Sequence, residues 1–78
     1  MVYPNPTTTG DLNIVFEKPQ DGQLTIEVTN LLGQRVYSET LEFSGVAHKF
    51  NMSNVAKGMF QMSIRMNGKE QTTRIVRD

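Results

Sequence analysis

The chain has no cysteine and no tryptophan among its 78 residues, a single histidine, and no net charge, eight basic groups standing against eight acidic ones. Each shortage excludes something. Without cysteine there is neither a disulfide scaffold nor a thiolate zinc site. Without a basic cluster there is no electrostatic footprint for nucleic acid or for an anionic membrane surface. Apolar runs stop at two or three residues, as in Ile14-Val15-Phe16 and Leu31-Leu32, far short of the roughly 20 that a membrane-inserting helix needs. The glycines are scattered singly at turns, so no phosphate-cradling loop forms and no cofactor is expected. Met1 runs straight into Val2-Tyr3-Pro4-Asn5-Pro6 with no basic or apolar leader region. It reads as a start residue set on a segment of a longer protein. The length allows one domain, residues 1–78, burying about 60% of its extended surface around a thin core.

What is present is alternation. Pro4 and Pro6 fix their own φ and push the residue before each toward extended conformations, so the opening reads as an edge-like lead-in. Leu12, Ile14 and Phe16 share one face of a strand over 12–16, and Glu17–Gly22 carries turn chemistry. Leu24, Ile26 and Val28 alternate with Thr25, Glu27 and Thr29, the cleanest period-two signal in the chain. Gly33 turns the corner into a strand over 34–41, with Val36 and Tyr37 its best packing groups. A turn at 42–45 leads to 46–52, where Val46, His48, Phe50 and Met52 share a side. Ser53 and Gly58 bracket the one place suited to a single helical turn. Phe60, Met62, Ile64 and Met66 face inward on a strand over 59–66. Asn67-Gly68 is a type I′ hairpin signal, and 70–77 completes the hairpin with Ile75 and Val76. These are about six strands plus the lead-in, with no crossover helix. They predict an all-β, antiparallel, immunoglobulin-like sandwich, with a small barrel as the alternative.

Chemistry finds little foothold. His48 lies on the face of Phe50, and Ser38, Ser44, Ser53 and Ser63 stand in no nucleophile-elbow context, so a triad is not expected. Metal ligands reduce to the loop carboxylates Asp11, Glu17 and Asp21, without EF-hand spacing. Paired carboxylates of a glycosidase need a cleft that a chain this short rarely builds. The methionines at 52, 59, 62 and 66 read chiefly as core, with a pliable contact surface as the alternative. The residues therefore read as no enzyme, no metal site and no cofactor.

The landmarks stand in a particular order. Tyr3-Pro4-Asn5-Pro6-Thr7 opens the chain, with Gly10 after it. Leu31-Leu32-Gly33-Gln34-Arg35-Val36-Tyr37 follows, then Asn54-Val55-Ala56-Lys57-Gly58-Met59-Phe60, and finally Thr73-Arg74-Ile75-Val76. Over essentially its whole length the sequence resembles the type A C-terminal sorting domain of the type IX (Por) secretion system. That family's pattern runs YPNP with Thr and Gly, L-x-G-x-x-V, L-x-x-G-x-Y, and a basic residue before Ile-Val. The chain matches it at Pro4, Asn5, Pro6, Gly10, Gly58 and Phe60, the last replacing tyrosine. The family has Asp or Asn two residues before the corner glycine, where this chain has Leu31, which leaves that turn's side-chain cap open. Its end, Arg74-Ile75-Val76-Arg77-Asp78, keeps the basic-Ile-Val core but finishes on charge.

The resemblance implies a non-catalytic signal at the C-terminus of a larger secreted protein of a gram-negative bacterium. It implies folding in the periplasm, recognition by the outer-membrane translocon, and arrival at the cell surface or outside the cell. A sortase would there remove the domain and join the cargo to lipopolysaccharide. The expected recognition residues are Gly33, Gln34, Arg35, Arg74, Ile75, Val76 and Arg77. Nucleic acid and membrane insertion are not expected as partners, while open sheet edges leave room for weak edge-strand self-association. The competing class of function is an adhesion or carbohydrate-binding sandwich of a surface protein.

Overall fold

A computed structural model describes all residues, 1–78. It contains five strands and no helix: β1 (Val2–Tyr3), β2 (Asp11–Asn30), β3 (Arg35–Asn51), β4 (Gly58–Met66) and β5 (Lys69–Arg77). Every pairing between them is antiparallel. β2 is the spine. β3 lines one of its edges, while β1 and β4 share the other, and β5 lies beyond β4.

The spine cannot be straight. Twenty extended residues at about 3.3 Å each would reach about 66 Å, whereas the longest dimension of the molecule is 32 Å. The ladder between β2 and β3 breaks between Val15 and Gln20, and Gly45 stands opposite Gln20 on the far side of the break. Pro19 lies within the break, where a missing N–H interrupts no ladder bond. The β2–β3 hairpin therefore folds in half there, curling the sheet into two layers whose inner faces meet. Ring pairs cross the fold: Phe16 and Phe43 lie 5.5 Å apart between centroids, and Tyr37 and Phe50 5.4 Å. This all-β, antiparallel curl is compatible with an immunoglobulin-like sandwich.

The strand count is corrected by that bend. Glu17–Gly22 and Glu42–Gly45, expected as turns between strands, are bends inside β2 and β3, because Gln20–Gly22 pairs with Phe43–Gly45 rather than reversing the chain. Six expected strands merge into four, and the lead-in supplies the fifth. The expected helical turn is also replaced. Val55 N donates to Met52 O at 2.9 Å in a single turn, and the side-chain acceptor there is Asn51, whose Oδ1 takes Ser53 N at 2.9 Å. Asn67 and Gly68 adopt the positive φ values, 53° and 77°, of the expected hairpin turn.

Thirteen apolar side chains form the core, including Leu12, Ile14, Leu24, Ile26, Val28, Phe60, Met62, Ile64 and Ile75. Met52, Met62 and Met66 belong to it, and Met59 alone of the four faces out. Phe16, Tyr37 and Leu41 pack against it from the rim. Val36 and Val46 do not reach it. β3 is an edge strand, and Val46 falls unpaired in the register between Ala47 and Gly45, at the tip of the fold. Gly10 fixes how the layers close. A Cβ there would lie 2.7 Å from Ser53 N, and the backbone stands at φ 91°. Only glycine fits that approach.

Candidate functional site

The corner after β2 is built by one side chain. Asn30 Oδ1 accepts from Leu32 N at 2.9 Å and from Gln34 N at 3.0 Å, while its Nδ2 donates to Gln34 Oε1 at 2.8 Å. Gly33 N donates to Asn30 O at 3.0 Å, with Gly33 at φ 83°. The cap left open by Leu31 is thus supplied from position 30. Sequence reasoning does not single out Asn30 as the cap, because it looks for that cap two residues before Gly33, at Leu31. Leu31 and Leu32, at the tip, are 73% and 83% exposed.

The tail is tied to the lead-in. Asn5 Nδ2 donates to Arg74 O at 2.8 Å, and Asn5 Oδ1 accepts from Val76 N at 2.9 Å. Thr7 N donates to Val76 O and Asp78 N donates to Thr7 O, both at 2.9 Å. A short parallel bridge, Thr7 with Arg77, results. Pro4 and Pro6 flank this stitch, and neither needs a donor of its own. Thr7 is fully buried, its Oγ1 donating to Asp11 O at 2.9 Å and accepting from Gly10 N at 3.1 Å. Sequence reasoning has Thr7 only as the residue that follows the proline pair in the motif, with no signal of its burial. Ile75 is fully buried, and Arg77 donates to the carbonyls of Met52 and Ser53, each at 3.3 Å. Phe60 lies over Gly58, where a Cβ would sit 3.6 Å from the ring.

The sheet brings corner and tail to one end. Arg35 stands opposite Thr29, Thr29 opposite Gln61, and Gln61 opposite Arg74, a single transverse row across four strands. Three strand spacings separate its ends by about 14 Å, and opposed residues share a face. Leu31, Phe60, Gln61, Thr72, Thr73 and Arg74 line a shallow groove of about 200 Å³ beside the corner. Glu27 holds Arg35 Nε at 3.2 Å and also binds Arg65, which reaches Glu70 at 3.3 Å. Arg74 has no carboxylate in reach among the ion pairs. Among the expected recognition residues, Gly33, Gln34, Arg35 and Arg74 are exposed, while Ile75 is sealed and Val76 and Arg77 are half-buried.

The other groups are engaged in structure. His48 Nε2 lies 3.3 Å from Glu39 Oε1, which also accepts from Tyr37 OH at 3.1 Å, and its ring meets Phe43 edge-on at 6.0 Å. Its neighbours are a carboxylate and an aromatic ring, not a serine. Burial, with the Glu39 carboxylate beside it, pushes the Tyr37 phenol up to about 12. Asp11 accepts from Asn51 at 2.7 Å and from Thr9 at 3.2 Å, bonds that lower its pKa. Neither it nor Glu17 or Asp21 joins a cluster of three potential metal ligands. Among the large apolar and aromatic groups left exposed, Tyr3 is the one aromatic, so no stacked platform for a sugar or base is assembled.

The family model of the secretion system C-terminal sorting domain matches residues 1–78, the whole chain. The chain belongs to that family. Among curated proteins, none matches it. As a type IX sorting domain it carries a secretion signal, engages the secretion machinery, and directs export toward the cell surface or the extracellular space.

Proposed function

We propose that the sorting domain is a folded, non-catalytic label at the end of a larger cargo protein. It crosses the periplasm folded and presents the corner-and-tail end of its sheet to the outer-membrane translocon. A sortase then cuts upstream of residue 1 and joins the cargo to lipopolysaccharide. The observation that carries this reading is the transverse row. It sets Arg35, next to the corner glycine, and Arg74, at the start of the tail motif, on one face at one end of the molecule. Within the expected recognition set, Gly33, Gln34, Arg35 and Arg74 present their atoms to a partner. Ile75, Val76 and Arg77 act by holding β5 and the lead-in in place.

A reporter fused ahead of residues 1–78 in a type IX-competent bacterium tests the reading. The expected result is reporter outside the cell, freed of the domain and shifted into a lipopolysaccharide-linked ladder on a gel. Reporter retained inside with the domain still attached would contradict it.

A further inference from the structure

Turn geometry accounts for Asn30, Gly33 and Gln34, which make the hydrogen bonds and the positive φ of the corner. It does not account for Leu31 and Leu32. Neither enters the core, and each keeps about three quarters or more of its surface in water. Ordinary exposed leucines stand singly. Here two consecutive ones sit on a tip held by Asn30, beside Met59, 43% exposed on the same end of the sheet and paired in register with Val76. The tip is thus already shaped by the Asn30 bonds before anything binds, which lowers the ordering cost that an unbonded loop would carry.

From these observations we infer that Leu31 and Leu32 are the apolar anchors by which the domain docks into a protein receptor, an apolar socket with a carboxylate on its rim. This rests on the sorting-signal reading and names the chemistry of its partner. The carboxylate is argued from charge. Arg74 lines the groove next to Leu31 and has no anionic partner within the domain, whereas Arg35 and Arg65 at neighbouring positions are neutralised by Glu27 and Glu70. A lipid or lipopolysaccharide surface fits less well. A chain of zero net charge with one unpaired arginine at the tip gains little from an anionic surface, at about 1 kcal/mol per cation. A second copy fits less well too. A two-fold contact through the leucines would carry both Arg74 side chains into one interface, and like charges there are unfavourable.

The test uses the reporter fusion in type IX-competent cells together with the purified chain. Leu31→Ser combined with Leu32→Ser lowers exported reporter by at least about tenfold and leaves the melting temperature within a few degrees of the parent. Arg74→Glu lowers export in the same way, while Leu31→Met with Leu32→Met keeps it. Val46→Thr, an exposed apolar group at the opposite tip, exports like the parent. Leu32→benzoylphenylalanine, irradiated in cells, is expected to cross-link to an outer-membrane translocon protein at a peptide bearing Asp or Glu among apolar residues. Parent-level export of the double serine variant, or a cross-link to lipopolysaccharide or to a second copy, overturns the inference and leaves the sorting reading standing. Failure of the parent fusion to be exported overturns the sorting reading itself.

Discussion

Asn5 replaces a strand along the outer edge of β5: one carboxamide accepts from Val76 N at 2.9 Å and donates to Arg74 O at 2.8 Å. Together with the Thr7 backbone bonds to Val76 and Asp78, this side chain closes the two ends of the chain on each other and fills the edge that would otherwise be open to pairing. Replacing it with alanine removes both bonds and exposes two backbone groups to water rather than to a partner. Asn5→Ala should cost about 1–2 kcal/mol, lowering the melting temperature by about 4–8 °C per kcal/mol in a chain of this size. Circular dichroism melting checks it. Asn5→Asp keeps the acceptor but loses the donor, and should fall between the two.

Tail truncation is expected to act through folding. Ile75 is fully buried against the core, and removing residues 74–78 strips it out together with the partners of Asn5 and Thr7. Ile75→Ala alone should cost about 2–5 kcal/mol. In a domain whose whole stability is of the order of 5 kcal/mol, the truncated chain should show no cooperative melting transition. Loss of export on truncation is then loss of fold, so only surface substitutions such as those at Arg74 report on recognition.

Two glycines with positive φ should respond differently. A methyl group placed on Gly33 would meet nothing within 4 Å, so Gly33→Ala carries only the backbone cost of the left-handed region, about 1–2 kcal/mol. A methyl on Gly10 would also meet Ser53 backbone atoms at 2.7 and 2.8 Å, and Gly10→Ala should cost about 3 kcal/mol or more. Urea denaturation of the two variants separates them.

The alternation of β2, β4 and β5 and the Asn67-Gly68 turn are legible in the sequence because period two and turn chemistry are local signals. The fold of the long hairpin is not. Glu17–Gly22 and Glu42–Gly45 carry turn residues, and nothing local distinguishes a chain that reverses from one that bends while its partner bends with it. The corner and tail are legible as motifs, yet their meeting across β4 depends on register, which no single stretch encodes. Thr7 escapes for the same reason, since a polar residue sealed by a long-range closure onto Val76 and Asp78 looks in sequence like any other loop residue. Leu31 and Leu32 read as an apolar run, and only the three-dimensional arrangement shows that they face water.

Alkaline pH should loosen the fold through Tyr37. Its phenol titrates at about 12 in the native chain against an ordinary value of 10.0, so the native state retains a proton that the unfolded state gives up first. The stabilisation is present in full below pH 10 and is lost as pH rises through about 12. The melting temperature should decline over that window, and Tyr37→Phe should flatten the decline. At neutral pH the same variant loses only the bond to Glu39.

Under the proposed function the secretion machinery reads the folded corner-and-tail end of the sheet. The most direct test of this claim is the fraction of reporter exported by a variant in which Leu31, Leu32, Arg35 and Arg74 are all changed to serine, with melting of the purified chain measured alongside. Full export of the wild type with the variant held inside the cell, at a melting temperature within a few degrees of the parent, is the predicted result. A variant that folds and is exported as well as the wild type would contradict the claim.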